Sequence, residues 1–588
     1  MSRCSTIAVF LGGLTAACGG DSATDVADVD VDASALTLDA PPPDAFVDLA
    51  GPLFAPDHVV QVDITMAPAD WDALRLQTRT IASVIEGRCL DQPMPSPFTS
   101  FTADVAIDGA ALPQVAIKKK GFIGSLDDTK PSLKLDLDDL TPGQRFLGLE
   151  RITLNNARQD ASLVRQCLSY PLFAAAGIVA PRCNFAQVTV NGDDLGVYVH
   201  VESMDRRFVR SRFAAPDGPF FEGTLSDFRP AWVNTFEAKG GEVAGGRAAL
   251  DGLTTALDTA SDASLLDAIA PYVDLDHFLT FWATEIITNH WDGYANDRNN
   301  FFVYGDPTSG QLQFVPWGVD ATLQPDATFD GLGNANGPVA VAAAGMLANR
   351  LFALPAVRAQ FLARQTALLD EIWDEVALDA EVDRMAALLD ARVPAAQHAR
   401  WVTGLASVRA FIAERRADLT AAIADGPTWD APLPGYPCFD VAATVSATFA
   451  TTYGTLGTNN PFATGSGTFA ITIDGVTTEL TPVGASAGTD AGAAANQAGV
   501  IQIFGIRPSD GHILVLSIGS RPSALAPRTV DVGIFDGYGA MYDYDPVADQ
   551  ASYAGLLLGS VTLTAADDSA GAAVTGTLAA NVDVPGAP

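Results

Sequence analysis

The sequence predicts an α+β domain followed by an all-β module of sandwich or jelly-roll type. Three observations lead there. Residues 55–425 interleave alternating, strand-like runs with segments whose apolar residues recur every three or four positions. After "GPTWDAPLPGYPC" the composition changes: residues 438–588 are short runs rich in Gly, Thr, Ala and Ser, with little helix and few basic side chains. The chain's 588 residues also exceed what one ordinary core organises.

The chain opens with "MSRCSTIAVFLGGLTAACGG". Arg3 gives a positive start, Ile7 to Leu14 a short apolar run, and "TAAC" a small-residue cleavage site, so residues 1–17 read as a signal too short to span a bilayer. It resembles a bacterial lipoprotein signal, which implies lipidation of Cys18 as the first mature residue. Leu14 lies one place further from the cysteine than that pattern has it, which leaves ordinary signal cleavage open. Residues 19–50 are Asp, Ala and Pro-rich, without an aromatic residue before Phe46, and read as a disordered tether. No later run is long and apolar enough to cross a membrane. The expectation is an exported protein that meets the membrane only through a lipid anchor. A formal charge of −36 argues against nucleic acid as a partner. Beyond Cys4 and Cys18 the cysteines are Cys89, Cys167, Cys183 and Cys438; in an exported chain these are either disulfide partners or isolated buried thiols.

The elements follow in order. "HVVQVDITM" is a strand, and "APADWDALRLQTR" a helix with Pro68 in its first turn and Asp70 near its positive end. "FTADVAIDG" and "LPQVAIKKKGF" pair as strands. In "TKPSLKLDLDDL", Lys130, Ser132, Lys134 and Asp136 share one face, and Leu133, Leu135 and Leu137 the other. "DASLVRQCLSYPLFAAAG" is an amphipathic helix opened by Asp160 or Ser162 and closed at Gly177. "FAQVTVNGDDLGVYVHVE" is a hairpin turning at Asn191-Gly192. Residues 274–288 form a strongly apolar helix, "FFVYGDPTSGQLQFVPWGVD" a second hairpin, and the pattern from Val341 to about Asp425 is helical.

Between that apolar helix and the second hairpin lies "ITNHWDGYANDRNNFFVYGD", which sets His290, Asp292, Asn296, Asp297, Arg298, Asn299 and Asn300 between two buried segments. Rigid flanks of this kind hold catalytic loops. An acid and asparagines on one loop, then Asp320 after a hairpin, match a phosphoryl-transfer layout: one Asp takes the hydroxyl proton, while an Asn and a second Asp hold the divalent cations. Asp and Asn also populate turns for local reasons, so the pattern alone leaves a structural reading open.

Five ordered blocks carry a resemblance. They are "KKKGF" with "KPSLKLDLDDL"; "RFLGLERITLNN" with "DASLVRQCLSYPLFAAAGIVAPRC"; "VTVNGDDLGVYVHVE"; "NHWDGYANDRNNFFVY"; and "FVPWGVDATL". Together they resemble the CotH kinase family (spore coat protein H), a divergent protein-kinase-like group. The resemblance implies a kinase-like domain over 55–425 that binds ATP with Mg²⁺ or Mn²⁺. It further implies transfer of the γ-phosphoryl group to Ser or Thr hydroxyls of exported or cell-surface proteins. By position, Asp292 matches the catalytic aspartate, and Asn300 the asparagine before the aromatic strand. Lys134, with Lys130 and Lys120, matches basic positions of the nucleotide-binding half, Lys134 being the one expected to neutralise phosphate charge, and Glu202 ends the family's "Y-x-x-x-E" strand.

Two positions depart from the family pattern. Gly318, in "PWGVD", replaces the acid expected to hold metal. Two residues along a strand restore the same face, so Asp320 is expected to serve instead. Gln166 stands where the family has Glu, which weakens a Lys–Glu pair for holding phosphates. Both departures favour the alternative, a catalytically degenerate kinase-like surface protein that acts as a binding module.

Other candidates carry a plainer reading beside the functional one. His290 is a base or a structural histidine, and "GFIGS" (Gly121 to Ser125) a phosphate-covering loop or a hairpin turn. Asp536, Asp543 and Asp545 bind Ca²⁺ or sugar, or lie on a surface loop. No Ser-His-Asp arrangement or zinc signature is present.

Overall fold

The structure is a computed structural model that describes residues 47–79, 89–239, 246–324, 339–433, 435, 438–458, 460–490, 499–520, 525–533 and 537–586. The signal segment, Cys18, Asp536 and most of the expected tether lie outside the described residues. The described chain divides into two units, one of residues 47–77 and 91–435, the other of 78–79, 89–90 and 438–586.

In the first unit, seven strands close into a barrel. They are β1 (Val59–Thr65), β2 (Phe101–Ile107), β3 (Ala110–Lys120), β4 (Ser132–Asp136), β5 (Arg151–Asn155), β6 (Cys183–Val190) and β7 (Asp193–Val201). Their order is β1-β2-β3-β4-β5-β7-β6, and β6 closes the ring by pairing parallel with β1. Alternation fills the interior with Ile117, Leu133, Leu135, Leu154, Val188 and Tyr198. The other parity of β3 to β5 carries Lys118, Lys120, Ser132, Lys134, Thr153 and Asn155, with Lys120 opposite Ser132 and Lys134 opposite both Lys118 and Thr153. The β6–β7 hairpin turns through Asn191 and Gly192, at φ 54° and 89°. Alternation predicts each strand's faces, but not a parallel closure between strands so far apart in sequence.

Three helices attach to the barrel strands, α1 (Pro68–Arg75), α2 (Arg165–Ala175) and α3 (Arg206–Arg212). Asp160 opens α2 by accepting the amides of Ser162 and Arg165, both at 2.9 Å, and Gly177 ends it at φ 83°. The rest of the unit is a second sheet set among helices. Its strands are β8 (Phe220–Gly223), β9 (Glu237–Lys239), β10 (Phe301–Gly305) and β11 (Leu312–Pro316), in the order β11-β10-β8-β9. The helices are α4 (Ala248–Thr259), α5 (Leu265–Ile269), α6 (Leu275–Thr288), α7 (Tyr294–Asp297), α8 (Met346–Ala353), α9 (Pro355–Ile372), α10 (Glu375–Leu389) and α11 (Ala395–Ala424). Asp274 caps α6 through the amides of Asp276 and His277, and Asn289 ends it in the left-handed region. Trp282 of α6 stacks on Phe361 of α9 with ring centroids 3.7 Å apart. The buried Arg415 of α11 donates to the carbonyls of Ile286 and Ile287, adding side-chain donors to the last turn of α6.

Residue 47, where the described chain begins, falls inside the segment read as a tether. Asp48 pairs there with Arg182 at 2.5 Å and Arg207 at 3.0 Å, and Ala50 is buried, so the end of that segment is held.

The second unit is β-rich, as its composition predicts, but it is one sheet rather than the two facing sheets of a sandwich. Its ten strands are β12 (Phe439–Thr452), β13 (Gly465–Ile473), β14 (Val476–Glu479), β15 (Val483–Thr489), β16 (Gly499–Ile506), β17 (Ile513–Ser520), β18 (Arg528–Gly533), β19 (Gly537–Asp545), β20 (Gln550–Ala565) and β21 (Ala573–Pro585). The order is β14-β13-β12-β21-β20-β18-β19-β17-β16-β15. The sheet rolls back on itself. The amides of Gly454 and Thr455, just past β12, donate to Ala487 of the far strand β15 at 2.8 Å. Phe449, Ile471, Ile503, Leu516, Leu557 and Leu578 share the enclosed core. Long strands with bulges at Val441/Ala443, Met541/Tyr542 and Leu563/Ala565 supply the twist that curls a single sheet. A disulfide joins Cys89 to Cys438 within this unit, and Cys167 pairs with Cys183 in the first. No helix among the described residues is long and apolar enough to cross a membrane.

Candidate active site

The polar block after α6 is folded onto the helix that precedes it. Glu285, a buried acid in the C-terminal half of α6, accepts the amides of Tyr294 at 2.8 Å and Ala295 at 3.0 Å, fixing the start of α7. Gly293 makes that approach possible, because a Cβ there would lie 2.3 Å from Glu285 Oε1. The chain then leaves α7 through left-handed Arg298 and Asn300, at φ 56° and 50°. This tight path brings two amides onto one carboxylate. Asn299 Nδ2 donates to Asp292 Oδ1 at 3.0 Å, and Asn300 Nδ2 to Oδ2 at 2.7 Å and to the Asp292 carbonyl at 3.1 Å. Burial pushes the Asp292 carboxyl well above the usual carboxylate range; the charges of Asp297 and Asp320 push the same way, and the Asn299 amide opposes them.

Asp320 reaches the same neighbourhood by a different route from the one its sequence suggests. β11 stops at Pro316, Gly318 is left-handed at φ 52°, and Val319–Ala321 form a single 3₁₀ turn. The two-residue step from Gly318 to Asp320 is therefore a turn, and strand parity does not apply. Gly318 also has a steric reason: a Cβ there would lie 2.3 Å from Asn300 Oδ1 and 2.4 Å from its Cγ. An acid at 318 would expel the Asn300 amide from its place beside Asp292. Thr322 Oγ1, 2.7 Å from Ser169 Oγ, ties this turn to α2. Burial raises the Asp320 pKa to about 6; Asp160 adds to the shift, while Lys120 and His290 pull it down.

Lys120, at the end of β3, is the lysine that acts on this centre. Its Nζ donates to Asn155 Oδ1 at 2.6 Å, and Asn155 Nδ2 donates to Gln166 Oε1 at 2.9 Å. An amide bridge therefore stands where a direct Lys–Glu pair was sought. The ammonium also lies 5.6 Å from the centroid of Trp317, whose amide donates to the Asn300 carbonyl at 3.0 Å.

A family model described as CotH kinase protein matches residues 117–417, just over half of the chain and every residue of this centre. The chain belongs to the CotH family. It is 29% identical over 188 residues to the inner spore coat protein H of Bacillus subtilis, and 24% identical over 189 residues to the invasins CotH2 and CotH3 of Rhizopus delemar. These matches cover 30%, 29% and 29% of the chain, and 51%, 31% and 31% of those relatives. The chain thus spans about half of the spore coat relative's length and under a third of each invasin's.

Of the residues singled out from sequence, the CotH fold gathers Asp292, Asn300, Asp320 and Lys120. It sends three others elsewhere. Lys130 Nζ donates to the Val197 carbonyl at 2.6 Å over the ring of Tyr198, and burial lowers its pKa to about 8. Lys134 stands beside Lys118 and Thr153 on β4, and its charge acts on Asp205. Glu202 is buried among three guanidiniums, Arg182 at 2.7 Å, Arg212 at 2.5 Å and Arg207 at 3.5 Å, an ion-pair network that holds the end of β7. His290 is buried 3.7 Å from Glu285 Oε1. In the "GFIGS" loop the Phe122 amide donates to Ser125 Oγ at 3.0 Å, closing the loop on itself. In the β-rich unit Asp543 is taken up by His512 at 2.7 Å and Arg507 at 3.0 Å, and Asp545 caps a turn through the amides of Val547 and Ala548.

Asn155 and Glu285 were not singled out, Asp160 was read only as the opener of its helix, and Asp297 only as a member of the polar block. Glu285 did carry a signal, a lone acid inside "FLTFWATEII". The others sit in polar surroundings where nothing local distinguishes them. Among the described residues, no three His, Cys, Asp or Glu side chains are disposed to hold a metal ion by themselves.

Proposed function

We propose that this CotH protein is an ATP-dependent phosphotransferase acting on Ser or Thr hydroxyls of exported or surface proteins. What supports the reading above all is the convergence of Asp292 and Asp320, remote in sequence, on one buried neighbourhood that also holds Lys120. Asp292 lies within electrostatic reach of two further buried acids, Asp297 and Asp320, and such a concentration of negative charge suits a divalent cation. Mg²⁺ needs only one or two carboxylates when phosphates complete its shell, so a protein cage of three ligands is not required. Asp320 and Asn300 hold that cation, Mg²⁺ or Mn²⁺, which when bound neutralises charge on the phosphates.

The chain's own residues do the rest. Asp292, held by two asparagine amides, orients the acceptor hydroxyl and takes its proton. Its raised affinity for protons makes it a stronger base toward the hydroxyl than an ordinary carboxylate. The acceptor oxygen bonds to the γ-phosphorus as that phosphorus parts from the bridging oxygen, and ADP leaves with the electron pair. Lys120, steadied by Asn155, donates to phosphate oxygens and disperses their charge. Two disulfides, and relatives named for a spore coat and for invasion, support an exported or surface location.

A second reading, a binding module without transfer, draws on Gln166, which gives Lys120 an amide bridge and no carboxylate partner. Thermal unfolding with ATP and either cation separates the two. A stabilisation that needs both ligands and disappears in Asp320→Ala is expected; none with Mg²⁺ or Mn²⁺ supports the binding module. Labelled phosphate should enter the chain or casein with wild type and not with Asp292→Asn. Equal incorporation by that variant removes Asp292 from its role.

A further inference from the structure

Helix α2 works on two faces. Gln166 and Ser169, both fully buried, turn toward the site, where they meet Asn155 and Thr322. Cys167, Tyr170, Pro171 and Ala174, spaced by three and four residues, occupy a different face and line a cavity of about 430 Å³. Phe54, Phe185 and Met385 add apolar lining, and the charged lining is Arg182, Arg212, Arg384 and Glu381; Arg384 pairs with Glu381, Arg212 with Glu202, and Arg182 with Glu202 and Asp48. The volume falls within the range of small-ligand sites, and the lining has their make-up, apolar surface with a few polar groups. Arg212 bonds Glu202, yet burial outweighs that pairing and lowers its affinity for protons, so further negative charge beside it would be favourable. The Cys167–Cys183 disulfide lies in the cavity wall and ties α2 to β6 at that point.

We infer that this cavity is a second ligand site, for a compact apolar anion such as an aromatic or branched aliphatic carboxylate or sulfonate. Its occupancy fixes the position of α2 and, through Gln166 and Asn155, of Lys120. The binding site stands on its own geometry, and only its consequence for nucleotide rests on the proposed function.

1-Anilinonaphthalene-8-sulfonate, an aromatic sulfonate, is the probe, titrated by fluorescence into the full chain without nucleotide. Saturable binding is expected. Ala174 is exposed, so Ala174→Trp can fold while filling the space, and it should weaken binding about tenfold or more. Arg384→Gln, at a half-exposed ion pair, should weaken it by about threefold. In wild type the dye should also slow amide hydrogen exchange across 165–175, and in Ala174→Trp it should not. Absence of saturable binding, or equal binding by both variants, overturns the assignment. If the dye binds as expected while ATP gives no thermal shift, the transferase reading fails and the cavity site stands.

Discussion

Replacing Asp320 with Asn tests whether its charge is held under strain for a ligand. Asp320 is 6% exposed, and its pKa is raised from 3.8 to about 6, first by burial. A shift of about two units corresponds to roughly 3 kcal/mol at about 1.4 kcal/mol per unit. The folded pKa lies above the unfolded one, so the folded state binds more protons between about pH 4 and 6. Stability therefore falls as pH rises through that window, and the full penalty is present above it. Asp320→Asn keeps the shape and removes the charge. Without ligand it should unfold several degrees higher than wild type at pH 8, with the difference fading toward pH 4. ATP with Mg²⁺ should stabilise wild type and leave the variant unmoved. A variant less stable than wild type at pH 8, or a difference that ignores pH, would show that the carboxylate is a structural partner and refute the strain.

Four further outcomes follow from single contacts. Gly318→Ala places a Cβ 2.3 Å from Asn300 Oδ1 at a positive φ, so it should lower stability by at least about 1 kcal/mol and abolish phosphate transfer, read by unfolding and label incorporation. Asn155→Leu removes the bridge between Lys120 and Gln166, and should cost about 1–3 kcal/mol and shrink the ATP-induced thermal shift. Glu285→Gln gives up one of two amide contacts at the start of α7, for about 2 kcal/mol, and hydrogen exchange at 293–295 should quicken while the barrel stays unchanged. Replacing Cys167 and Cys183 together by Ser frees a loop of sequence separation 16, for about 3 kcal/mol in denaturant unfolding.

The local order of the molecule was legible because local physics sets it. Leu133, Leu135 and Leu137 alternate with polar residues and are all buried. The Asn191-Gly192 pair turns its hairpin, and the apolar run at 274–288 forms α6 between Asp274 and Asn289. Composition alone set the β-rich residues 438–588 apart, but not the rolling of one sheet, which depends on bulges and on a far strand returning to Ala487. The polar block and Asp320 were visible as candidates because such residues are out of place beside buried segments. The choice among lysines was not visible. Periodicity ranks Lys120, Lys130 and Lys134 equally, and the family resemblance pointed to Lys134 for the phosphates, whereas Lys120 is the one whose charge acts on Asp320.

What the sequence by itself determined is the set of faces: which residues turn inward, where helices start and stop, and which polar groups lie between apolar flanks. What only the tertiary structure decided is which of those groups meet. Lys120 finds Asn155 through the β3–β4–β5 register, Glu202 is drawn to three arginines, and Asp320 arrives by a turn that Gly318 permits and Asn300 demands. The physical reason is range. Period and propensity act over a few residues, whereas a buried charge is stabilised or strained by whichever neighbours long-range packing brings within a few ångströms.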